Sequence, residues 1–300
     1  MEKHQASNDL KGIGGQAVIE GVMFKSKKGW SVAVRDPAGV IHLKTEPLKP
    51  HRLEKTPLFR GFFILFYTLL LGIKALEFSA QISGGKKEGD GEKPISPIMM
   101  AGTLLVSVGA ALVLFLFVPL LIAKLVGFLI APVAASSLLF NVADGISRAA
   151  IFLLYVWVIG LWKETGRIFE YHGAEHKVIH AFEDGGLDME NIIKASPRHP
   201  RCGTSFLLIV MALSIIVFSF IPQHWPLYFK FLSRLVLIPL VAGLSYEVLK
   251  LSAKFEKNPF MRLMVLPGLA LQKLTTREPD QSQIEVSLKA LEGVMTLEES

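Results

Sequence analysis

The sequence has very little cysteine, and long segments of it have no charge. A single cysteine among 300 residues excludes a framework of disulfide bonds within the chain. The first 16 residues contain no apolar core, so a cleaved signal peptide is not expected. The segment Met99–Ala123 runs for 25 residues without a charged side chain, and about 20 apolar residues are enough to cross a bilayer. The absence of charge over so long a segment predicts a membrane protein.

Apolar residues dominate what is present. They make up 51% of the chain, and its mean hydropathy is +0.44. A soluble domain of this length does not need uncharged runs of transmembrane length, so we expect a multi-pass protein of the cell membrane with the lipid bilayer as its partner. The net charge of +6 does not indicate a nucleic-acid partner, because basic residues in a membrane protein first report its orientation.

The apolar segments and the basic residues together predict a topology. Lys and Arg concentrate in three regions around and between the apolar segments, which places these regions and both termini in the cytoplasm by the positive-inside rule. The predicted fold is therefore mostly α, a polytopic membrane protein with about four transmembrane helices. The predicted spans are about 99–121, 147–162, 205–221 and 231–249, and the basic regions are 1–98, 163–204 and 250–300.

The part before the bundle is predicted to hold a small N-terminal β unit and an interfacial helix. Within the cytoplasmic region 1–57, "GGQAVIEGVMF", "GWSVAVRD" and "VIHLKT" have the patterns of three strands. Residues 58–82 are predicted as an interfacial or half-buried helix, since only a short uncharged run separates Arg60 from Lys74. A fifth span at this place is the alternative, and it fits the distribution of positive charge less well.

Three further regions complete the predicted organisation. Residues 83–98 are expected to form a flexible hydrophilic loop, and the bundle over 99–249 includes the histidine-rich cytoplasmic loop 163–204. The C-terminal region 250–300 contains an amphipathic helix, because apolar residues recur at helical spacing after Asp280. The stripe that docks this helix comprises Ile284, Leu288, Leu291 and Met295.

A row of histidines in "FEYHGAEHKVIHAFE" is the main candidate for chemistry. His172 and His176 are four residues apart, so on a helix they face the same side about one turn apart. Two imidazoles at this spacing can hold one divalent metal ion, and zinc is the expected ion. Glu175 lies in the same sector, where a His-x-x-Glu-His pattern would use it as the general base toward bound water. His180 extends the row as a ligand, a supporting group or a helix cap.

Further residues must complete such a site, because zinc takes three or four protein ligands. "SPRHPRCGTSF" offers His199 and Cys202 at the entrance to the third span, and Glu247 lies near the cytoplasmic end of the last span. Thiolate is a strong zinc ligand, and a carboxylate within a span needs a partner or a metal. Each has an ordinary alternative: Cys202 can be a small residue at a helix start, and Glu247 can pair with Lys250.

For two other groups of polar residues we favour a structural role over a functional one. Asn141, Asp144 and Arg148 share one potential helical face, and the last two can form an i,i+4 ion pair. We interpret them as a cap and an ion pair and not as an active site. Gln16 and Glu20 share a face of the predicted strand by its period of two. They are either an exposed pair or residues that reach the site from the N-terminal unit.

Five stretches carry a resemblance to a known family. They are "GGQAVIEGVM", "FRGFFILFYTLLLGIKALEFSA", "FEYHGAEHKVIHAFE", "HPRCGTSFLLIVM" and "PGLALQKLTTREPDQSQIEVSLKAL". In this order, over nearly the whole chain, they resemble the YqhQ-like family, the bacterial domain of unknown function numbered 1385. The resemblance implies a multi-pass bacterial membrane protein, and it implies a metal-dependent enzyme without naming a substrate.

Two classes of function follow from these residues. In the first, the chain is a metal-dependent enzyme, most simply a hydrolase at the cytoplasmic membrane surface. His172 and His176 would bind the metal, and Glu175 would orient or deprotonate water. In the second, the chain is a non-catalytic assembly or insertion factor for other membrane proteins, with a structural metal site or a polar cluster. Transport is a weaker third class, since the definite spans carry few charges.

Overall fold

The computed structural model describes a mostly helical protein with one small β-sheet. It describes residues 13–48, 59–85, 97–200, 202–222, 224–254 and 259–299, so most of the predicted loop 83–98 lies outside the described residues. The strands are β1 (Gly14–Val18), β2 (Gly21–Lys25), β3 (Gly29–Arg35) and β4 (Ile41–Pro47). The helices are α1 (Phe59–Ser83), α2 (Pro97–Leu112), α3 (Val118–Leu129), α4 (Ala131–Ala135), α5 (Ser137–Ile159), α6 (Lys163–Glu183), α7 (Met189–Lys194), α8 (Gly203–Phe218), α9 (Leu227–Lys254), α10 (Pro259–Thr275) and α11 (Gln281–Glu299). A π-helical turn, Val113–Phe117, joins α2 to α3.

The four strands form one antiparallel sheet in the order β1-β2-β3-β4. The predicted β unit is confirmed, but "GGQAVIEGVMF" is a hairpin and not a single strand. Val18 pairs with Gly21, and in the turn between them Glu20 takes a left-handed backbone conformation with a φ of 51°. The turn reverses the chain after β1, so the expectation that Gln16 and Glu20 share a strand face is wrong.

The sheet is covered on both faces. On one face Val22, Phe24 and Ala33 pack with apolar residues of α6 and α11. On the other face Trp30 and Val32 pack with α1. Successive residues of a strand point to opposite faces, which is why β2 and β3 are buried on both sides. The strands with α1, α6 and α11 form a three-layer unit, here called the sheet unit.

The C-terminal helix docks on the sheet through the predicted stripe. Ile284 and Leu291 of α11 are buried, and Leu288 and Met295 pack partly buried against the same core. At the centre of this contact the Ser31 hydroxyl donates a hydrogen bond to a backbone carbonyl of α11. The prediction of an amphipathic docking helix is therefore confirmed.

Four helical segments are long and apolar enough to cross a membrane, which confirms the predicted number. They are Arg60–Ser83, Gly102–Leu129, Ser137–Ile159 and Leu227–Leu251. These four segments differ from the four predicted spans at one place. The predicted span 205–221 forms α8, whose 16 residues are fewer than the roughly 20 that a span needs. Helix α1 meets the length and composition instead.

Helix α1 has two apolar surfaces with different surroundings. One stripe, which includes Leu71, Ala75 and Phe78, is buried against the sheet. Away from it Phe66 and Leu69 are 51% and 59% exposed. A helix that covers a sheet with one face and presents apolar side chains on another suits a position at the membrane surface. The interfacial placement of this helix stays a prediction.

A buried ion-pair cluster lies inside the helical bundle. The Asp144 carboxylate accepts hydrogen bonds from Arg148 at 2.6 Å and from Arg234 at 2.6 Å. The Arg148 guanidinium also donates to Ser214, and Arg234 also donates to Asn141. The predicted i,i+4 pair is therefore present. Arg234 of α9 joins it as a second partner that the sequence spacing on α5 does not indicate.

Replacing Asp144 with Asn is expected to destabilise the bundle. The amide keeps the shape but removes the charge, so Arg148 and Arg234 lose the carboxylate between them, and breaking a buried pair costs about 3–5 kcal/mol. Thermal unfolding of the purified protein in one detergent measures the loss. The matched control is Glu292→Gln, because Glu292 forms an exposed pair with Lys289 on α11 that is worth at most about 1 kcal/mol. Equal unfolding midpoints for the two variants would contradict the assignment.

Candidate metal centre

Helix α6 carries the histidine row into the interior of the protein. Acidic Glu164 lies in its first turn, where it complements the helix dipole, and Gly185 with a φ of 80° follows its end. The rings of His172 and His176 lie on one side, with 4.3 Å between their centroids. The expected helical geometry of the row is thus present. His180, one turn further, is more exposed, and its Nε2 donates to the Arg198 carbonyl at 3.0 Å.

Cys202, at the start of α8, lies next to these two imidazoles. Its Sγ lies 3.3 Å from Nε2 of His172. One ligand atom each from His172, His176 and Cys202 lies within 4.8 Å of the other two, which is a spacing that can hold a metal ion. The tertiary structure therefore unites three of the five residues proposed as metal ligands, although Cys202 is 30 residues from His172 in the chain.

Two backbone carbonyls set the orientation of the imidazoles. Nδ1 of His172 donates to the Thr275 carbonyl at 2.8 Å, and Nδ1 of His176 donates to the Pro197 carbonyl at 2.7 Å. A carbonyl only accepts, so each ring carries its proton on Nδ1 and leaves the lone pair on Nε2 for a ligand. Histidines that bind metals commonly have this second hydrogen bond, which fixes the tautomer and the ring orientation.

The Nε2 atom of His176 is polar, buried and unsatisfied. Among the described residues it has no hydrogen-bond partner, and the residue is 2% exposed. Burial holds the pKa of His176 well below its usual range, with the neighbouring His172 as a further cause. The ring is therefore neutral, which is the form that binds a metal ion. A buried acceptor without a partner is costly, and a cation at this point would remove that cost.

The Cys202 thiol lies at the N-cap of α8. Its Sγ accepts from the Thr204 amide at 3.5 Å and from the Thr204 hydroxyl at 3.3 Å. Burial raises the pKa of the thiol, and the two hydrogen bonds from Thr204 oppose this rise. A bound cation reverses this balance, because it stabilises the thiolate directly. The Cys202 sulfur faces the imidazoles, and its role as a metal ligand stays a prediction.

Glu175 is buried beside the three-residue group. Its Oε2 lies 3.9 Å from Nε2 of His172. Burial raises the pKa of Glu175 to about 8, and His172 opposes the rise. Strand β1 covers this carboxyl: a Cβ on Gly15 would lie 2.5 Å from Oε1 of Glu175. The glycine thus permits a close approach between the sheet and the side chain of α6.

Two proposed ligands lie outside the three-residue group. His199 is buried with its Nε2 at 3.3 Å from Oε2 of Glu183, and its backbone forms two hydrogen bonds with Gln272. Glu247 forms a two-pronged ion pair with Arg60 at the start of α1. This pair accounts for the carboxylate near the end of the last span, with Arg60 in place of the expected Lys250.

The backbone groups that orient the histidines carry no signal in the sequence. The carbonyls of Thr275 and Pro197 act through backbone atoms, so side-chain identity cannot reveal them. Gly15 has no side chain, so its close contact with Glu175 is visible only in the tertiary structure. Glu20 forms a two-pronged pair with Arg167 of α6. It thereby ties the β1–β2 turn to the helix of the histidine row, although Glu20 is not a member of the candidate site.

Comparisons with known proteins identify relatives but no activity. Residues 56–297 match the family described as Protein of unknown function (DUF1385). The chain is 33% identical over 309 residues to the Uncharacterized protein YqhQ of Bacillus subtilis (strain 168), over 99% of this chain and 96% of that protein. No solved structure matches the chain. The resemblance drawn from the five sequence stretches is confirmed at the level of the family.

Replacing Gly15 with Val is expected to disturb the contact between β1 and Glu175. The new Cβ would overlap the carboxyl group, and overpacking of this kind costs typically about 1–3 kcal/mol. The control is Gly14→Val in the same strand, since a Cβ on Gly14 meets nothing within 4 Å. Thermal unfolding of both variants should show a lower midpoint for Gly15→Val alone. Two equal midpoints would show that β1 does not cover Glu175.

Proposed function

The chain belongs to the DUF1385 family of proteins of unknown function, and we propose that it is a metal-dependent hydrolase of the membrane. The observation that carries the proposal is the shared orientation of the two imidazoles. Both Nδ1 atoms are hydrogen-bonded to carbonyls, so both Nε2 lone pairs are available near the Cys202 sulfur. The Nε2 of His176 is buried and has no hydrogen-bond partner among the described residues, which supports a metal over a hydrogen-bonded polar cluster.

Zinc is the metal that this donor set suits best. Two neutral imidazoles and one thiolate are nitrogen and sulfur ligands of intermediate softness, which zinc prefers. In tetrahedral zinc sites the ligand atoms lie roughly 3.4–3.8 Å apart, as the metal–ligand distances require. The 3.3 Å between His172 and Cys202 and the 4.8 Å limit for the whole group need only small shifts to meet this spacing.

The number of ligands favours a catalytic site over a structural one. The described part of the chain supplies three ligands to the group, and catalytic zinc sites commonly have three protein ligands and one open position. A metal ion in this place would supply Lewis acidity toward a carbonyl or phosphoryl oxygen. Glu175 is close enough to His172 to accept the proton of an attacking water as its general base.

The burial of the site supports a second candidate, an assembly or insertion factor with a structural metal. Glu175, His176 and Cys202 are all buried, and β1 covers Glu175. If Glu175 turned toward the metal as a fourth ligand, the site would be closed, as in structural zinc sites. The hydrolase proposal requires instead that a small substrate reach the half-buried side at His172.

Purified protein is expected to contain about one zinc ion per chain, and a chelator should remove it. The variants His172→Ala and His176→Ala should each lose most of the metal, because two ligands cannot hold it at ordinary concentrations. His180→Ala is the matched control, since this imidazole belongs to the same row but hydrogen-bonds to Arg198. Elemental analysis of the four proteins provides the measurement. Wild-type metal content in the His172 and His176 variants would place any metal elsewhere.

Replacing Glu175 with Gln separates catalysis from structure. The amide keeps the shape but cannot take a proton, and a positioned general base is worth about 10²–10⁴-fold in rate. We expect the Glu175→Gln protein to have normal metal content and normal stability. It should nevertheless fail to restore function in a strain that lacks its own copy of the gene. Glu164→Gln in the first turn of the same helix should remain functional.

Other outcomes for Glu175→Gln point to other roles. A stable, metal-loaded and fully functional variant would remove Glu175 as the base and favour the structural site. Loss of metal together with loss of stability would identify Glu175 as a fourth ligand. Metal content, unfolding midpoint and complementation measured on one set of proteins distinguish the three cases.

A further inference from the structure

A cavity opens into the side of the helical bundle, away from the histidine row. It has a volume of about 860 Å³ and lies between α3, α4, α5 and the start of α9. Most of its lining is apolar and includes Leu121, Phe128 and Phe140, with Trp225 at one end. Two lysines, Lys124 and Lys230, supply the charge of the wall, and no acidic residue lines it among the described residues.

The cavity lies at the end of the bundle opposite the candidate metal centre. Its wall from α5 is Phe140, near the start of that helix, whereas the histidine row follows the end of α5. A helix rises about 1.5 Å per residue, so the length of α5 between the two places is roughly 28 Å. Phe128 on the rim is 90% exposed and belongs to a segment that is apolar enough to span a membrane. If this segment crosses the membrane, the mouth faces lipid.

The interior behind this cavity has more positive than negative charge. The segments 97–150 and 203–246 contain one acidic residue, Asp144, and four basic ones. Asp144 already receives hydrogen bonds from Arg148 and Arg234 on its two oxygens. Its single negative charge is smaller than the positive charge of these two arginines alone. Excess charge inside a bilayer is costly, and an anionic ligand would reduce that cost.

Lys230 connects the cavity with the buried cluster. Its Nζ lies 4.3 Å from the centre of the Phe140 ring, and the residue is 7% exposed. Lys230 and Arg234 line the same narrow gap, together with Phe140, Asn141 and Ile221. Lys230 also lies within electrostatic range of Lys124 and Arg234. The positive potential of the cluster thus adds to that of the two wall lysines.

We propose that this cavity binds one anionic phospholipid, with the phosphate at Lys124 and Lys230 and an acyl chain along the apolar wall. The volume lies within the range of ordinary ligand pockets, and basic pockets between transmembrane helices suit lipid headgroups. A soluble phosphate would use only the two lysines, whereas the apolar wall and the lipid-facing mouth match a chain. The site is separate from the proposed metal centre and does not depend on it.

Lipid binding to the purified full-length protein tests the proposal. Native mass spectrometry compares anionic phosphatidylglycerol with zwitterionic phosphatidylcholine of the same acyl chains, so that only the headgroup differs. Wild-type protein should retain phosphatidylglycerol about 30-fold more strongly, since each of the two lysines contributes about 1 kcal/mol and about 1.4 kcal/mol is a factor of ten. The double variant Lys124→Gln, Lys230→Gln should lose this preference. The exposed lysine variant Lys289→Gln should keep it.

A second variant tests the contribution of the acyl chain separately from that of the headgroup. It also gives a result if the lysine double variant does not fold. Ala131→Trp fills the cavity from α4, leaves both lysines in place, and should weaken the binding of both lipids about tenfold. Lys124→Gln alone provides the charge test if the double variant does not fold. Equal retention of the two lipids by wild type, or unchanged retention in the variants, would overturn the proposal. So would inorganic phosphate that binds alone with the affinity of phosphatidylglycerol.

Discussion

The hydrogen bonds from two histidine Nδ1 atoms to backbone carbonyls organise the candidate site. One carbonyl, Thr275, ends α10, and the other, Pro197, belongs to the segment before α8. The two bonds therefore join α6 to two separate parts of the chain and also decide which nitrogen of each ring is available. The position of Cys202 follows from the same arrangement, because it starts the helix that comes after Pro197. A change in any of these segments alters the chemistry of the imidazoles.

The other parts of the sheet unit hold α6, the helix of the histidine row, in place. α6 and α11 pack on one face of the sheet, and α1 packs on the other. Glu20 in the first turn of the sheet holds Arg167 of α6, and Gly15 of β1 lies against Glu175. The N-terminal strands are thus part of the surroundings of the candidate metal centre. They cover the carboxyl of Glu175, and among the described residues no strand residue belongs to the three-residue group.

The protein has two polar centres with different physical characters. The candidate metal centre consists of two imidazoles and a thiol whose ligand atoms lie close together, so it suits a cation. The cluster around Asp144 has more guanidinium and ammonium groups than carboxylates, so it suits an anion. They lie toward opposite ends of α5, with the apolar part of the bundle between them. This separation allows a bound lipid and a metal site to be tested independently.

Much of the fold could be predicted from local patterns. Uncharged runs predicted a bundle with four spans, and the stripe from Ile284 to Met295 predicted a docking helix. Both predictions depend on the length and periodicity of runs of neighbouring residues, which can be seen directly in the sequence. The exceptions were also local. Length separates α8 from a full span, and the turn at Glu20 divides one apparent strand, because a short glycine-containing run fits a strand or a hairpin equally well.

The sequence by itself determined that His172 and His176 share one face of a helix, because four residues make about one turn. It could not decide which of Cys202, His199 and Glu247 joins them. Those residues are distant in the chain, and their positions depend on packing between helices. In the tertiary structure Cys202 lies beside the imidazoles, and Glu247 forms an ion pair with Arg60. The tertiary structure also brought Arg148 of α5 and Arg234 of α9 to one aspartate, since only packing brings separate helices together.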